Sequence, residues 1–422
     1  MRRAMVLQIL LIGVLLGQSS AGAGDAKPPS GKALRTIVEQ YLDGDYQTRV
    51  KMREEADATY ASLNASALKK LRKDLLKYAR KTGPKIGGSG TNHFYEAKEG
   101  RYIVAGKPSK TLFVGLHGGG EGSGDAGSVP MGGGGWWWIY PEVLDKTERG
   151  WTSPPRGDLP GTERFVMDLI DAAKRTGKVD PNRIYICGHS MGGFGAWHLG
   201  AHHADVFAGL GAFAGAPVPI WDNEQDKNVI AIQPGVLPNL FNVRLHVYQS
   251  LDDPNVPPAE NQGAIRDLKT LEEQFPDGFD FRYHEVDGRG HGGPPGGFPS
   301  DLKWLYERKR EPRPEAFLWQ PVLSWKRQFY WVYWDRPEEQ ALIEVRAQEG
   351  NVCDITVHNG MDDLTGLSIL VGEPLFDLEK EIVVRVNEEE RFRGKVERTF
   401  STLLMTLPRF DPDLLFDARV DL

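Results

Sequence analysis

The chain has 422 residues, 40% of them apolar and 26% charged, and a formal net charge of −7. That length and balance suit a globular protein of two or three domains with a sizeable core, and exclude an intrinsically disordered chain. The acidic excess argues against nucleic acid as a partner.

In chain order, the first 23 residues read as a secretory signal peptide. Arg2 and Arg3 precede an apolar run from Met5 to Leu16, and Ala21-Gly22-Ala23 supplies an A-x-A cleavage site. The run is short for a bilayer span, and no later segment looks transmembrane. Removing residues 1–23 takes away Arg2 and Arg3 and leaves 49 basic against 58 acidic side chains, a net charge of −9. The expected location is secreted or periplasmic, with no membrane span after signal cleavage. Cys187 and Cys353 fall in regions of different composition and read as buried free thiols rather than a disulfide.

Residues 24–90 form a helical lead-in: Leu68, Leu71, Leu75 and Leu76 recur at helical spacing, with Gly83 as a stop. Residues 91–312 alternate strands with helices. "HFYEAKEGRYIVAG" predicts a hairpin turning at Lys98-Glu99-Gly100, "TLFVGLHGGG" a buried strand, "ERFVMDLIDAAKRTG" an amphipathic helix and Arg183–Cys187 the next strand. "DVFAGLGAFAG", "NVRLHVYQS", the helix "AENQGAIRDLKTLEEQF" and the strand "FDFRYHEVDG" follow, an order that predicts a parallel α/β sheet. Residues 313–422 change texture to short runs such as "ALIEVRAQ", "CDITVHNG", "LTGLSILVG", "EIVVRVNE", "TLLMTL" and "FDARVDL", which predict an antiparallel β-sandwich-like domain. Its aromatic stretch Phe329 to Trp334 reads as core or a domain seam, with a sugar-binding platform as the alternative.

Chemistry concentrates in "YICGHSMGGFGAWHLG". Ser190 falls between a short buried strand and a helix, with Gly188, Gly192 and Gly193 around it. This is the pattern of a nucleophile elbow, in which a strained serine is lifted clear of the sheet and its neighbours have no room for side chains. A serine hydroxyl is a weak nucleophile, so it needs a histidine to take its proton and a carboxylate to orient that histidine. "HVYQSLDDPNVPP" places Asp252 and Asp253 just after a strand, and "HEVDGRGHGG" places His291 after the next. A tetrahedral intermediate also needs preset N–H donors. His117-Gly118-Gly119-Gly120 ends an earlier strand, so Gly118 or Gly119 is expected to provide one donor, and the Met191 amide, directly after the nucleophile, the other.

"VDPNRIYICGHSMGG", "LDDPNVPP" and "GRGHG" together resemble the α/β-hydrolase superfamily, and within it secreted esterases of the polyhydroxybutyrate-depolymerase and feruloyl or acetylxylan esterase type. The resemblance spans residues of about 91 to 310. It implies an α/β-hydrolase sheet and a triad in the order Ser, acid, His. In that family the stretch before the acid usually reads G-x-x-D-x-x-V-P, which points to Asp253, four before Pro257. Here Ser250 stands in place of the usual Gly, and Asp252 remains the alternative acid.

Other patterns carry less. "GSGDAG", Gly122 to Gly127, does not open a helix within a βαβ unit as a dinucleotide fingerprint requires. His198 and His202 are four apart but lack the glutamate of an HExxH motif, and read as helix-surface histidines. Trp136, Trp137 and Trp138 are expected in the long loop after the oxyanion strand, either walling the substrate cleft or anchoring the loop. The reading is a secreted serine esterase acting on a small-molecule or polysaccharide ester, with neither cofactor nor metal required. The alternatives are a prolyl-oligopeptidase-type serine peptidase and a cell-surface binding protein with a vestigial hydrolase core.

Overall fold

The computed structural model describes residues 27–60, 63–119, 124–129, 131–132, 135–146, 149–222, 228–339, 341–360 and 364–422. The signal-peptide segment and Gly120 lie outside them.

Helices α1 (Gly31–Asp43), α2 (Tyr46–Tyr60) and α3 (Ala65–Ala79) make up the lead-in. The Asn64 side chain caps α3 by accepting the Ala67 N–H at 2.9 Å. Leu68, Leu71 and Leu75 are buried as their spacing predicts, but Leu76 is only partly so. The cluster they join is completed from the other end of the chain by Phe400, Leu403, Leu404 and Leu407, so the lead-in shares its core with the C-terminal region.

The central sheet takes up β1 (Gly90–His93), β2 (Arg101–Ala105), β3 (Leu112–Leu116) and β4 (Trp137–Pro141), then helix α4 (Thr162–Arg175), β5 (Ile184–His189), helix α5 (Met191–His202) and β6 (Gly209–Phe213). A small hairpin, β7 (Pro219–Trp221) and β8 (Val229–Ile232), precedes β9 (Arg244–Ser250), helix α6 (Pro258–Gln274), β10 (Phe281–Val286) and helix α7 (Pro299–Tyr306). The eight strands lie in the order β1-β2-β4-β3-β5-β6-β9-β10. β2 runs antiparallel to both neighbours, and every pairing from β4 to β10 is parallel. Helices cover both faces of such a sheet, which is why β3, β4 and β6 are buried at every position and read as continuous apolar runs. The carboxyl ends of β3, β5, β9 and β10 therefore open on one edge, where parallel sheets place their ligands.

Trp137 and Trp138 do not stand in a loop; they open β4 and are 0% and 2% exposed. Trp138 stacks between Phe113 and Tyr140, at centroid distances of 4.7 and 5.4 Å.

The C-terminal strands are β11 (Ala316–Trp319), β12 (Gln328–Phe329), β13 (Val332–Trp334), β14 (Leu342–Gln348), β15 (Val352–Asn359), β16 (Leu367–Val371), β17 (Ile382–Val386), β18 (Glu389–Gly394) and, after helix α8 (Phe400–Thr406), β19 (Ala418–Asp421). They form a five-stranded sheet, β11-β14-β15-β17-β18, and a four-stranded one, β12-β13-β16-β19. The sheets are not purely antiparallel as expected, because β15 and β17 pair in parallel. "TLLMTL" is helical, not a strand: α8 is buried on all sides and shows no helical stripe. The aromatic stretch from Phe329 is core, with Trp319 stacked on Phe329 at 5.4 Å and Phe317 against Trp331 at 5.1 Å.

This region is fastened to the α/β sheet through buried charge. Asp205 accepts from Lys326 at 2.6 Å and from Arg409 at 2.7 Å, and Arg310 pairs with Asp411 at 2.6 Å. Cys187 and Cys353 are free and buried.

Candidate active site

Ser190 lies between the end of β5 and the start of α5 with φ 60° and ψ −127°, a conformation that strains any residue with a side chain. The turn is held by the Ser190 N–H donating to the Phe213 carbonyl at 2.9 Å and the Phe194 N–H to the Ser190 carbonyl at 3.1 Å. Its glycines are needed for close approach: a Cβ at Gly188 would fall 2.2 Å from the Gly192 carbonyl oxygen, and one at Gly192 2.2 Å from that of Leu116.

Two loops bring partners to this serine. His291 Nε2 is 2.8 Å from Ser190 Oγ, and His291 Nδ1 is 2.8 and 3.0 Å from the two oxygens of Asp253. Asp253 is buried, and its Oδ1 accepts the N–H groups of Asn255 at 2.9 Å and Val256 at 3.0 Å. With Nδ1–H donating to the carboxylate, Nε2 is left as an acceptor for the serine proton.

The two aspartates do different things. Asp252 Oδ1 accepts from Ser250 Oγ at 2.5 Å and from the N–H groups of Arg289 and Gly290 at 3.0 and 2.9 Å. The hydrogen bonds from Ser250 and Gly290 hold its carboxyl below the usual range. Asp252 thus grips the loop that carries His291, while Asp253 faces the ring. Ser250, where the resembled pattern has glycine, joins the same grip by accepting the Arg289 N–H at 3.1 Å.

Gly118 lies against the nucleophile: a Cβ there would stand 3.0 Å from the His189 carbonyl oxygen and 3.2 Å from Ser190 Cβ. His117 is buried, with Nε2 accepting the Val143 N–H at 3.2 Å, which assigns the proton to Nδ1 for donation to the Gly118 carbonyl at 2.7 Å. Burial holds this imidazole below its ordinary pKa. The bond fixes the Gly118–Gly119 peptide plane and with it the Gly119 N–H. Met191 opens α5, so its N–H has no carbonyl partner within the helix. Both expected donors are therefore brought to one end of the sheet beside Ser190.

Sequence reasoning missed His189. Its ring centroid lies 5.0 Å from that of His291, and burial, with His291 next in weight, keeps it below its ordinary pKa. A neutral neighbour spares His291 a like charge when it takes a proton. Only its place inside Gly-His-Ser could have drawn attention to it.

The tryptophans are not part of this constellation. Trp136 precedes the amino end of β4, at the sheet edge opposite Ser190, and stacks on Phe113 at 4.6 Å with Tyr306 at 5.3 Å. His198 and His202 are buried rather than on the helix surface. His198 Nε2 accepts the Val218 N–H at 3.3 Å, and His202 and His203 both reach Glu163 Oε1, at 3.0 and 2.9 Å. Glu163 thus holds His202, and the Val218 amide holds His198.

The strand order and the elbow decide the fold. It is α/β-hydrolase-like. Residues 143–257, which include Ser190 and Asp253, match the family model Hydrolase_4, described as serine aminopeptidase, S33. The Nocardia uniformis subsp. tsuyamanensis protein named "Putative esterase NocK" is 26% identical over 216 residues, 49% of this chain and 56% of that protein. The chain thus spans just over half the length of this curated relative. Solved structures with similarity include a thermostable esterase (21% identity, TM-score 0.38, 53% of this chain and 63% of that one). Another is the poly(3-hydroxybutyrate) depolymerase LpqC of Bordetella parapertussis (15% identity, TM-score 0.36, 52% and 94%).

Proposed function

We propose that this chain is a serine hydrolase of carboxylic esters working through an acyl-enzyme. Ser190 attacks the ester carbonyl while His291 takes its proton; Asp253 orients His291 and stabilises the imidazolium that forms. The N–H groups of Met191 and of Gly118 or Gly119 receive the developing oxyanion, each such donor contributing on the order of 3 kcal/mol to the transition state. Collapse expels the alcohol, protonated by His291, and water repeats the sequence to release the acid. The observation that carries this reading is the continuous chain from Ser190 Oγ through His291 to Asp253, both links at 2.8 Å, on a strained elbow.

The substrate is proposed to carry an apolar acyl group. The burial of Trp137 and Trp138 removes the aromatic wall expected at the cleft for an acyl or a sugar group alike. Leu251, next to Asp252 and two residues before Asp253, is a large exposed apolar side chain, and Ile220 and Ile230 are exposed on the β7–β8 hairpin, which follows in sequence the Gly215 segment that lies against Ser190. A peptidase reading is kept in view by the aminopeptidase family model. Matched 4-nitrophenyl esters of rising acyl length and aminoacyl 4-nitroanilides test both. kcat/KM should be higher for the esters and rise with the first few methylenes; faster cleavage of the anilides would move the assignment to a peptidase.

A further inference from the structure

We propose that His246, His284 and Asp301 form a binding site for one Zn²⁺ ion, separate from the triad and anchoring the loop that carries His291. Each residue offers one ligand atom, and the three atoms lie within 4.8 Å of one another. They converge from three elements. In the parallel pairing of β9 and β10, His246 is opposite Arg282 and His284 opposite Tyr248, so the two histidines, one residue pair apart in phase, point to the same face of the sheet. Helix α7 packs on that face, with Asp301 in its first turn.

What marks the cluster is its unsatisfied polarity. His246 is 5% exposed, and among the described residues neither of its ring nitrogens has a hydrogen-bond partner; nor does the buried Oδ2 of Asp301. His246 Nε2 and Asp301 Oδ1 are 3.7 Å apart, too far for a hydrogen bond between them. Buried polar atoms are almost always satisfied, so such a set calls for a partner. The ring of His246 is otherwise enclosed by Phe213 at 5.8 Å and Trp304 at 5.7 Å, an apolar wall of the kind that leaves lone pairs free for an ion.

Two imidazoles and a carboxylate are a ligand set that zinc accepts, with water as the fourth ligand. Ligand atoms at about 2.1 Å from a tetrahedral ion stand roughly 3.4 Å apart, so the 3.7 Å pair is already near that spacing and the third atom needs a shift of at most about 1.4 Å. Arg282 and Arg244 lie near, but both are drawn onto the face of Trp304, at 4.1 and 4.4 Å. The site's place gives it a consequence. His284 precedes His291 by seven residues and Asp301 follows it by ten, so one ion would fasten both flanks of the His291 loop to β9, the strand that ends at the Asp252–Asp253 loop.

The test is metal binding itself, independent of the esterase assignment. Full-length protein stripped with EDTA and dialysed is titrated with zinc sulfate by calorimetry, and its zinc content is measured after gel filtration. One ion per chain and a zinc-dependent rise in melting temperature are expected. His284→Gln and Asp301→Asn, at the less buried corners, should each weaken binding by more than the roughly 10–100-fold that loss of an outer-shell group costs, with unchanged far-UV circular dichroism. Ser190→Ala should bind zinc as the parent does. Absence of stoichiometric zinc, or equal affinity in the parent and both variants, would overturn the site.

Discussion

The side chain of Asp252 accepts the backbone N–H of Gly290 at 2.9 Å, and so ties the acid loop to the residue immediately before His291. Position of the base thus depends on one aspartate and orientation of its ring on the next.

Substitutions separate these roles. Asp253→Asn should lower kcat by roughly 10³–10⁴-fold, because an amide cannot hold the required tautomer or balance the imidazolium. Asp252→Ala, which frees the Gly290 amide, leaves the Arg289 amide to Ser250 Oγ alone and keeps Asp253 on the ring, should cost less, about tenfold to a hundredfold, since a small misplacement of the base already slows proton transfer. Steady-state kinetics of both variants check this. An Asp252 variant slower than the Asp253 variant would reverse the assignment.

The oxyanion loop makes a second prediction. An alanine methyl at Gly118 would press on the His189 carbonyl and Ser190 Cβ at 3.0 and 3.2 Å and push the loop back by a few tenths of an ångström. Gly118→Ala should therefore lower kcat toward the roughly 10²–10³-fold expected for loss of one oxyanion donor, with KM nearly unchanged. Parent-like kcat would exclude this loop from the oxyanion site.

Much of this site was legible in the chain because its constraints are local. Gly188 and Gly192 mark the elbow since backbone crosses backbone there, and Asp253 and His291 each follow a strand of clear apolar character. Trp137 and Trp138 misled because a strand buried on both faces has no alternation, and four glycines before it mimic a loop. Helix α8 misled for the same reason, being buried all round. The parallel β15–β17 pairing, the packing of α8 on the lead-in helices and the grip of Asp252 on Gly290 are contacts between distant segments, to which periodicity is blind.

Buried histidines predict an acid weakness. Burial first, then neighbouring His202 for His198, pushes His198 down to about 3, and burial lowers His203 to about 4 despite the Glu163 carboxylate 2.9 Å away. Their folded pKa values lie below the unfolded value, so the unfolded chain binds more protons as pH falls below about 6.5, and stability present above that pH is lost as it drops. Between pH 6.5 and 5, before carboxylates titrate, the melting temperature should fall steadily. His203→Gln should be less stable at pH 8 yet show a shallower slope over that window. An equal slope in parent and variant would contradict this origin.

Covalent capture identifies the nucleophile. The parent protein and Ser190→Ala are each incubated with an active-site phosphonate ester, digested and sequenced by mass spectrometry, alongside 4-nitrophenyl ester turnover. One adduct is expected, on Ser190, formed as activity is lost, and neither adduct nor more than about 10⁻⁵ of parent turnover in Ser190→Ala, whose melting temperature stays near the parent's. Parent-like turnover by Ser190→Ala, or inhibition with the adduct on another residue, would contradict it.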